Sequence, residues 1–163
     1  MKRLILFIIF ISISTFGLLR GNGAYKPTVE AQMYVVDTSV VRLISLDCEL
    51  VENEPSVMAC EMISKLINGF DRNNKIRRIL PEKRQAVSVK VDGKTAFVDL
   101  KTKYFEKLPQ NKEFEQLLVY QLVNSLTSIE GIDYVRFTVD GKTTKKFAGF
   151  IDMREIFSPD YLL

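Results

Sequence analysis

The sequence has no histidine and no tryptophan among its 163 residues, and it has only two cysteines. Without histidine it lacks the side chain that most often acts as a general base near neutral pH, which is also the commonest metal ligand. It contains no nucleophile-elbow serine, Walker loop, dinucleotide fingerprint or EF-hand loop. These absences predict a protein without catalytic residues, a metal site or a cofactor.

Acidic residues are the remaining source of catalytic chemistry, because two carboxylates suffice for glycoside hydrolysis. The densest group is Asp47, Glu49, Glu52, Glu54 and Glu61. The same acids occupy a predicted strand end, a linker and a helix start, where negative charge stabilises the helix dipole. We favour this structural role, and a hydrolase with an unfamiliar carboxylate site is the alternative. Asp99 and Asp152 follow hydrophobic strand residues, so we predict turn or edge positions for them.

Apart from its N-terminal residues, the chain has no excess of positive or negative charge. The formal net charge of +3 comes from 23 basic and 20 acidic residues. Lys2, Arg3 and Arg20 all precede the first acid, Glu30, so the rest of the chain is neutral. A nucleic-acid-binding domain is expected to carry a net basic face. The charge balance therefore predicts no nucleic-acid partner.

The chain has one long hydrophobic run, residues 4–19, which follows Lys2 and Arg3. This layout is typical of a secretory signal, and Gly21-x-Gly23 offers a cleavage site. A helix of that length spans about 24 Å against roughly 30 Å of hydrocarbon, which favours a signal peptide, with an uncleaved membrane anchor as the alternative. No cysteine follows the run, so we expect no lipid attachment. We predict an extracytoplasmic protein with residues 1–24 as signal or anchor, 25–30 as tether and 31–160 as one domain.

The first half of that domain shows two strands and a helix. Branched and alternating residues predict strands over 31–36 and 40–50, with a turn at 37–39. Pro55 suits the first turn of a helix, and Gly69 marks its end. Apolar residues recur there every three or four positions and predict one buried face: Ala59, Met62, Ile63, Leu66 and Phe70.

A hairpin follows, in which valines alternate with polar residues up to an Asp92-Gly93 turn. With that turn, Val91 would face Lys94, Val89 would face Ala96 and Val87 would face Val98. The same pentapeptide, Val-Asp-Gly-Lys-Thr, recurs at residues 139–143. We attribute it to shared turn chemistry and not to duplication.

A second helix is predicted after a cap at residues 109–111, and Gly131 would end it. Its apolar face is broad: Phe114, Leu117, Leu118, Val119, Leu122, Val123, Leu126 and Ile129. We expect Gln121, Asn124 and Thr127 to meet solvent or make local hydrogen bonds. A strand over 135–139 follows and closes at Asp140-Gly141. The order of elements predicts an α+β fold in which two helices pack on one face of a largely antiparallel sheet.

Cys48 and Cys60, twelve residues apart, are the only cysteines. In an exported protein they could form a disulfide, which would contribute about 2 to 3 kcal/mol by chain entropy. The alternative is that both are small buried apolar residues. Without a histidine neighbour neither resembles a nucleophile.

Several strings together resemble one known family. They are Ser88-Val89-Lys90-Val91, residues 96–100, residues 119–127 with Glu130-Gly131-Ile132, residues 135–142 and residues 149–152. From about Ala31 to Asp160 the chain resembles the GerM-type (GerMN) sporulation and germination domain in a single-module form. The chain departs from the family in lacking the Pro that often follows the Gly at Gly69-Phe70-Asp71, a Gly within residues 81–84, and the lipid-bearing cysteine of its lipoprotein members.

The resemblance implies a compact fold similar to ring-building motifs, and a non-enzymatic extracytoplasmic module that helps to localise or assemble envelope protein complexes. It implies an envelope protein partner of unknown identity and self-association. Contact with the membrane would come only through the N-terminal segment. A module that binds cell-wall peptidoglycan is the alternative, with Tyr104, Phe105 and nearby lysines as a stacking platform.

Two basic segments are the candidate interaction surfaces. The first is the predicted loop 71–84, whose cations could meet anionic lipid, wall polymer or an acidic partner, with a merely solvated loop as the alternative. The second is the predicted hairpin 142–149. The candidate residues are Arg77, Arg78, Lys83, Arg84, Lys142, Lys145 and Lys146.

Overall fold

The computed structural model describes residues 26–37, 39, 41–68, 76–107, 109 and 111–162. Seven strands and two α-helices are found there, which confirms the α+β class. In chain order they are β1 (Thr28–Asp37), β2 (Arg42–Val51), α1 (Pro55–Asn68), β3 (Ile76–Arg77), β4 (Val87–Asp92), β5 (Thr95–Leu100), α2 (Lys112–Thr127), β6 (Tyr134–Val139) and β7 (Ile156–Phe157). Two short 3₁₀ turns cover Arg84–Ala86 and Thr102–Tyr104.

The first sheet has the order β2-β1-β3. β1 and β2 form a long antiparallel hairpin, paired from Thr28 opposite Val51 to Asp37 opposite Arg42. Because β1 begins at Thr28, the prediction of a tether over residues 25–30 is wrong for its last three residues. These pair with the end of β2, where neighbouring backbone groups satisfy each other.

The second sheet has the order β4-β5-β6-β7. Its pairs are antiparallel except β5 and β6, which run parallel and are connected through α2. The strands are therefore divided between two sheets, where the sequence predicted one. Strand order along the chain does not specify which edges pair.

The β4–β5 hairpin forms, but its register differs from the prediction by two residues. Val91 lies opposite Ala96 and Asp92 opposite Thr95, so Gly93 and Lys94 make the turn. Gly93 has φ +54°, which fits a turn that takes glycine at its first central position. A shift of two residues keeps every side chain on its predicted face, because strand side chains alternate with period two.

Helix α1 has the predicted N-terminal bound, and its apolar face is buried as predicted at Ala59, Met62, Ile63 and Leu66. Phe70 and Gly69 lie outside the described residues. Helix α2 is capped by Asn111, whose Oδ1 accepts the Phe114 N–H at 2.8 Å. This confirms the predicted cap.

Helix α2 departs from the prediction on its polar positions and at its end. Asn124 is fully buried. Its side-chain amide donates to the Asp160 carbonyl at 2.6 Å and accepts the Asp160 N–H at 2.9 Å. Gln121 is buried as well. Only Thr127 makes the expected local bond, to the Val123 carbonyl at 2.8 Å. The helix ends at Thr127, and Gly131 lies in the following turn with φ +90°.

The two helices pack mainly on different strands. α1 packs mainly along β4, whereas α2 packs mainly on β1 and also on β6. One continuous core joins the sheets, with Met33 and Leu50 from the first, Leu100 from the second and Leu122 from α2 all fully buried. Both helices contact both sheets, and α2 makes the larger contact with the first sheet.

Candidate interaction surfaces

The segment that carries Lys142, Lys145 and Lys146 begins with the predicted turn. Asp140 and Gly141 have φ +51° and +77°, and Val139 pairs with Lys142. Beyond Lys142 the backbone is irregular, so the predicted hairpin 142–149 is wrong. All three lysines are exposed. They form a solvated cationic loop.

This loop is held by a residue that the sequence analysis did not single out. Glu115 is completely buried on α2, and its Oε1 accepts the Ala148 N–H at 2.9 Å. Its Oε2 accepts the N–H groups of Phe150 and Ile151, at 2.7 and 3.1 Å. The sequence contained one indication of this role, because Glu115 occurs among the apolar positions of a predicted helix. An acid that is buried at such a position requires hydrogen-bond donors.

The first basic segment does not form one patch. Arg77 lies in β3, opposite Val36. Arg78 donates to the Asn68 carbonyl at the end of α1, at 3.0 Å, and pairs with Glu82. Lys83 precedes the 3₁₀ turn, while Arg84 lies beside α1 and the start of β4. Arg78 therefore has a structural role, and Arg77 and Arg84 border different depressions.

Exposed apolar side chains lie together on the face of the second sheet that the helices leave open. Phe97 of β5 is 40% exposed, with Lys90 on one side and Arg136 on the other. Ile156 of β7 continues this row at 54% exposure, and Tyr134 lies nearby on β6 at 45%. We call these five residues the open sheet face. The alternation of β5 placed Phe97 outside, but only strand pairing brought it beside the others.

Two of the acids between positions 47 and 61 have structural contacts. Asp47 accepts from the Gln32 amide at 2.7 Å, and Glu61 accepts the Val51 N–H at 3.0 Å while pairing with Lys65. Within the described part of the chain, no group of three metal-binding side chains comes together. A depression of about 590 Å³ near the end of α2 has a mixed acidic and apolar lining that includes Glu30, Glu52, Glu130 and Asp133.

Asp99 is not at an edge or turn, as predicted, but on the central strand β5. Its Oδ1 accepts from Thr138 Oγ1 and from the Gly141 N–H, both at 2.7 Å, and it pairs with Lys101. Burial works against ionisation, but these bonds outweigh it and hold the pKa of Asp99 below its ordinary value. Asp152 does lie in a turn, where Arg154 lowers its pKa to about 2.

Cys48 and Cys60 are both free thiols. Cys48 is buried in β2, and burial raises the pKa of its thiol. Cys60 is exposed on α1, and its Sγ lies 3.7 Å from the Val89 carbonyl oxygen of β4. Cys48 therefore belongs to the first sheet, whereas Cys60 contacts a strand of the second. The disulfide is not formed, and the alternative of two buried cysteines holds only for Cys48.

One ring of the predicted stacking platform, that of Phe105, is not accessible for stacking. Phe105 is buried and packs edge-on against Phe147, with ring centroids 5.0 Å apart. Tyr104 is partly buried, and the Lys103 ammonium lies 4.8 Å from its ring centre. A sugar ring would have to displace that lysine to stack on Tyr104.

The fold and these surfaces define a small α+β domain with an exposed apolar and cationic sheet face. The family model for "Germane: Sporulation and spore germination" matches residues 26–145. The chain therefore belongs to this family, which confirms the GerMN-type resemblance. No curated protein matches it. Among the described residues, no helix is both long and apolar enough to cross a membrane.

Solved structures show the same fold. The first GerMN domain of the sporulation protein GerM from Bacillus subtilis is similar at TM-score 0.62 and 24% identity, covering 80% of this chain and 98% of that one. The tandem GerMN domains of GerM have the same score and identity, covering 81% of this chain and 46% of theirs. A protein from Clostridium perfringens, described as a lipoprotein, is similar at TM-score 0.55 and 18% identity over 83% and 91%.

Proposed function

We propose that this protein is a non-enzymatic interaction module of the cell envelope, which helps to localise or assemble protein complexes during sporulation or germination. Membership of the sporulation and germination family supports a role in one of these two processes. The partner is an envelope protein, and a second copy of the chain is a further candidate. The protein's own surfaces, and not a reactive centre, would perform this role.

The open sheet face is the observation that carries the proposal. Phe97, Tyr134 and Ile156 are each at least 40% exposed, although removing such side chains from water is favourable. They lie on paired strands and are therefore held in fixed relative positions. Lys90 lies at one end of the row and Arg136 lies between Phe97 and Ile156, and aromatic residues with arginine are enriched in protein interfaces. The face fits a partner whose surface presents both apolar and acidic side chains.

The cationic loop supplies a second contact. Lys142, Lys145 and Lys146 are exposed, and the buried Glu115 anchors the backbone that follows them. We propose that these lysines, with Arg77, Lys83 and Arg84, select an acidic partner by charge. Such contacts raise the association rate more than the final affinity.

Extracytoplasmic location is part of the proposal. The basic and apolar N-terminal sequence supports export, and a structural relative is described as a lipoprotein. Residues 1–25, which include the signal or anchor, lie outside the described residues. The protein would be secreted or held at the outer face of the cytoplasmic membrane.

Peptidoglycan binding is the alternative function. It rests on Tyr104 and nearby lysines, because Phe105 is buried. Sedimentation of the protein with wall sacculi tests this alternative directly. Retention by sacculi that disappears on Tyr104→Ala, and survives Phe97→Ser, would favour the wall over a protein partner.

Site-specific crosslinking in intact cells tests the preferred function. A photoreactive amino acid replaces Phe97, Lys83 or Lys145 in turn, and Val57 serves as control because it is also exposed, at 48%, but lies on α1. We expect discrete protein adducts from Phe97, Lys83 and Lys145 and none from Val57. The double variant Phe97→Ser with Arg136→Glu should reduce localisation without lowering thermal stability.

Two outcomes would contradict this proposal. One is the absence of specific adducts at all three positions in cells where the protein is expressed and folded. The other is substrate turnover that disappears on replacement of an acid such as Glu52 or Glu130, because the depression that they border would then be an active site.

A further inference from the structure

Helix side chains cover two of the strand edges in this fold. On β1, Ser128 Oγ accepts the Gln32 N–H at 3.1 Å and donates to the Gln32 carbonyl at 2.9 Å. On β4, Ser56 Oγ accepts the Val91 N–H at 3.0 Å and donates to the Val91 carbonyl at 3.3 Å. Unpaired edge groups invite pairing with another chain. The two serines therefore satisfy edge groups that would otherwise be open to another strand.

The outer edge of β2 is the third long strand edge. On β1, Gln32 and Tyr34 donate their backbone N–H groups to serines of α2, on the side away from β2. Asp47 and Ser45 lie opposite these two residues. Where two opposite residues of an antiparallel pair do not bond each other, both direct their backbone groups to the outer sides of the pair. Asp47 and Ser45 therefore direct their N–H and C=O groups away from β1.

Most of this edge is not covered by the described residues. The same alternation directs the backbone groups of Leu43 and Glu49 outward as well. Val51, at the end of β2, is covered, because its N–H donates to Glu61 Oε2 at 3.0 Å. Among the residues that the structure describes, the outward backbone groups of residues 43, 45, 47 and 49 have no hydrogen-bond partner.

The side chains along this edge are accessible. Ser45, Asp47 and Glu49 are exposed on the solvent face of the sheet. On the other face, Ile44 and Leu46 pack against the core but remain partly exposed. A strand added beside β2 would remove the rest of these two apolar side chains from water, which is favourable.

The solvent face of this edge is acidic. Asp47 accepts from the Gln32 amide at 2.7 Å, and Glu30 of β1 lies opposite Glu49. Neither Asp47 nor Glu49 forms an ion pair with a described residue. The only basic residue of β2 is Arg42, and alternation places it on the same face as Ile44. The edge therefore presents negative charge that no cation of the strand balances.

We infer that the outer edge of β2 binds an extended segment of a partner protein, which pairs antiparallel with residues 43–49 and alternates apolar with basic residues. In this mode of recognition the main chain supplies affinity and alternate side chains supply specificity. Opposite residues of a strand pair share a face. The apolar residues would therefore meet Ile44 and Leu46, and the basic residues would meet Asp47 and Glu49. This inference rests on the proposed interaction function and names a partner segment for a surface apart from the open sheet face.

A basic segment fits this edge better than a second copy of β2. Antiparallel pairing through the outward groups would bring Asp47 and Glu49 of both copies onto one face of the joined sheet. Arg42 of each copy would lie on the other face, so these acids would share their face without a cation of either strand. Like charges on neighbouring strands are destabilising. The occupant is therefore a segment of another protein.

Binding of defined peptides tests the inference, with the full chain purified in mild detergent. The probe is a fluorescent octapeptide of alternating valine and lysine with blocked ends, and its control alternates valine and glutamate. Two further probes carry N-methyl groups on every lysine or on every valine of the first peptide. In the antiparallel pair only the lysine N–H groups point at β2. We expect binding of the unmodified and valine-methylated probes, and no binding of the glutamate and lysine-methylated probes.

Matched variants locate the binding, measured by fluorescence anisotropy. Ser45→Pro should weaken it at least about tenfold, because proline fits an edge strand but lacks the outward N–H, and Ser45→Ala should change it less than about twofold. Glu49→Lys should weaken it about fivefold, whereas Glu130→Lys, at an exposed acid near the end of α2, should change it less than about twofold. Hydrogen exchange should slow at the amides of Ser45 and Asp47 when the peptide is bound. Exchange at Leu46, whose N–H points at β1, should not change.

The inference is overturned if the valine–lysine peptide does not bind, if the glutamate peptide binds equally well, or if the two methylated probes behave alike. Binding that survives both Ser45→Pro and Glu49→Lys would also overturn it. So would dimers in sedimentation that Ser45→Pro dissociates, because the edge would then take a second copy. If Ser45→Pro does not fold, the two methylated probes decide the question with the native protein.

The proposed function has a separate readout. Crosslinks from Phe97 report on the open sheet face, which lies on the other sheet. If these crosslinks persist while the peptides fail, only the inference about β2 is refuted and the interaction function stands.

Discussion

At the scale of single residues, Glu115 contributes an unusual interaction. Its carboxylate is completely buried, and all three of its partners are backbone N–H donors. Those donors belong to residues 148–151, which have no strand partner of their own. One side chain thus satisfies a stretch of irregular backbone and fixes it to α2.

Replacing Glu115 with glutamine should therefore destabilise the fold. The amide NH₂ would point at an N–H donor in either orientation, which leaves at least one buried donor unsatisfied. We expect a loss of about 1 to 3 kcal/mol in the free energy of unfolding, measured by urea titration. Glu113→Gln, an exposed acid on the same helix turn, should change it by less than about 0.5 kcal/mol. Equal effects of the two variants would contradict the anchoring role.

Asp99 should make stability depend on acid pH. Its folded-state pKa is lower than the ordinary value of 3.8, so the ionised form stabilises the folded protein above that pH. This contribution is lost as the pH falls through the folded-state pKa. The difference in free energy of unfolding between the native protein and Asp99→Asn should therefore narrow below pH 3.8. Asp92→Asn, at an exposed position in the same sheet, is the control. If the difference in free energy of unfolding between the native protein and Asp99→Asn stays constant down to low pH, the prediction is wrong.

At the scale of elements, the two copies of Val-Asp-Gly-Lys-Thr turn at different places. In the first, Asp92 is the last paired residue of β4, and Gly93-Lys94 forms the turn. In the second, Asp140-Gly141 forms the turn. Asp140 is held there because its carboxylate accepts from Thr102 Oγ1 at 2.6 Å and its N–H donates to the Leu100 carbonyl. Contacts from β5 and the following turn thus select the second geometry.

The same substitution in the two copies should have different effects. Asp140→Ala places a side chain without local hydrogen bonds at φ +51° and removes the contacts with Thr102, so we expect a loss of about 1 to 3 kcal/mol. Asp92→Ala removes an exposed strand side chain and should cost less than about 0.5 kcal/mol. Thermal unfolding of the pair compares them directly. Similar losses would mean that the tertiary contacts of Asp140 contribute little.

At the scale of the whole molecule, α2 couples the two sheets because it packs on β1 and on β6. Its side chains Leu118, Leu122 and Leu126 are fully buried, and Asn124 also binds the backbone of Asp160 near the C-terminus. Neither sheet has a separate core. The sheets should therefore unfold together.

Truncating Leu122 to alanine tests this coupling. The cavity should lower the free energy of unfolding by about 2 to 5 kcal/mol. Amides of β1 and β5 should lose equal amounts of protection in native-state hydrogen exchange. Continued wild-type protection in one sheet would show that the sheets are independent. Val57→Ala, at an exposed position of α1, is the control and should leave both sheets unchanged.

The candidate site was less predictable than the fold. The cations at Lys142, Lys145 and Lys146 were correctly expected on the surface, because charged side chains are rarely buried without partners. The role of Arg78 at the end of α1 was not expected, because it depends on which helix terminus lies beside the arginine. Phe97, Arg136 and Ile156 are far apart in sequence and meet only through strand pairing.

Local chemistry allowed the sequence alone to determine both helices, the Asn111 cap, the alternation of β4 to β6 and the Asp140-Gly141 turn. Each follows from the periodicity or the backbone preferences of neighbouring residues. Tertiary structure decided the division into two sheets, the two-residue shift of the β4–β5 hairpin, and the burial of Glu115 and Asn124. These depend on which distant groups satisfy each buried donor and acceptor, and no local pattern records that pairing.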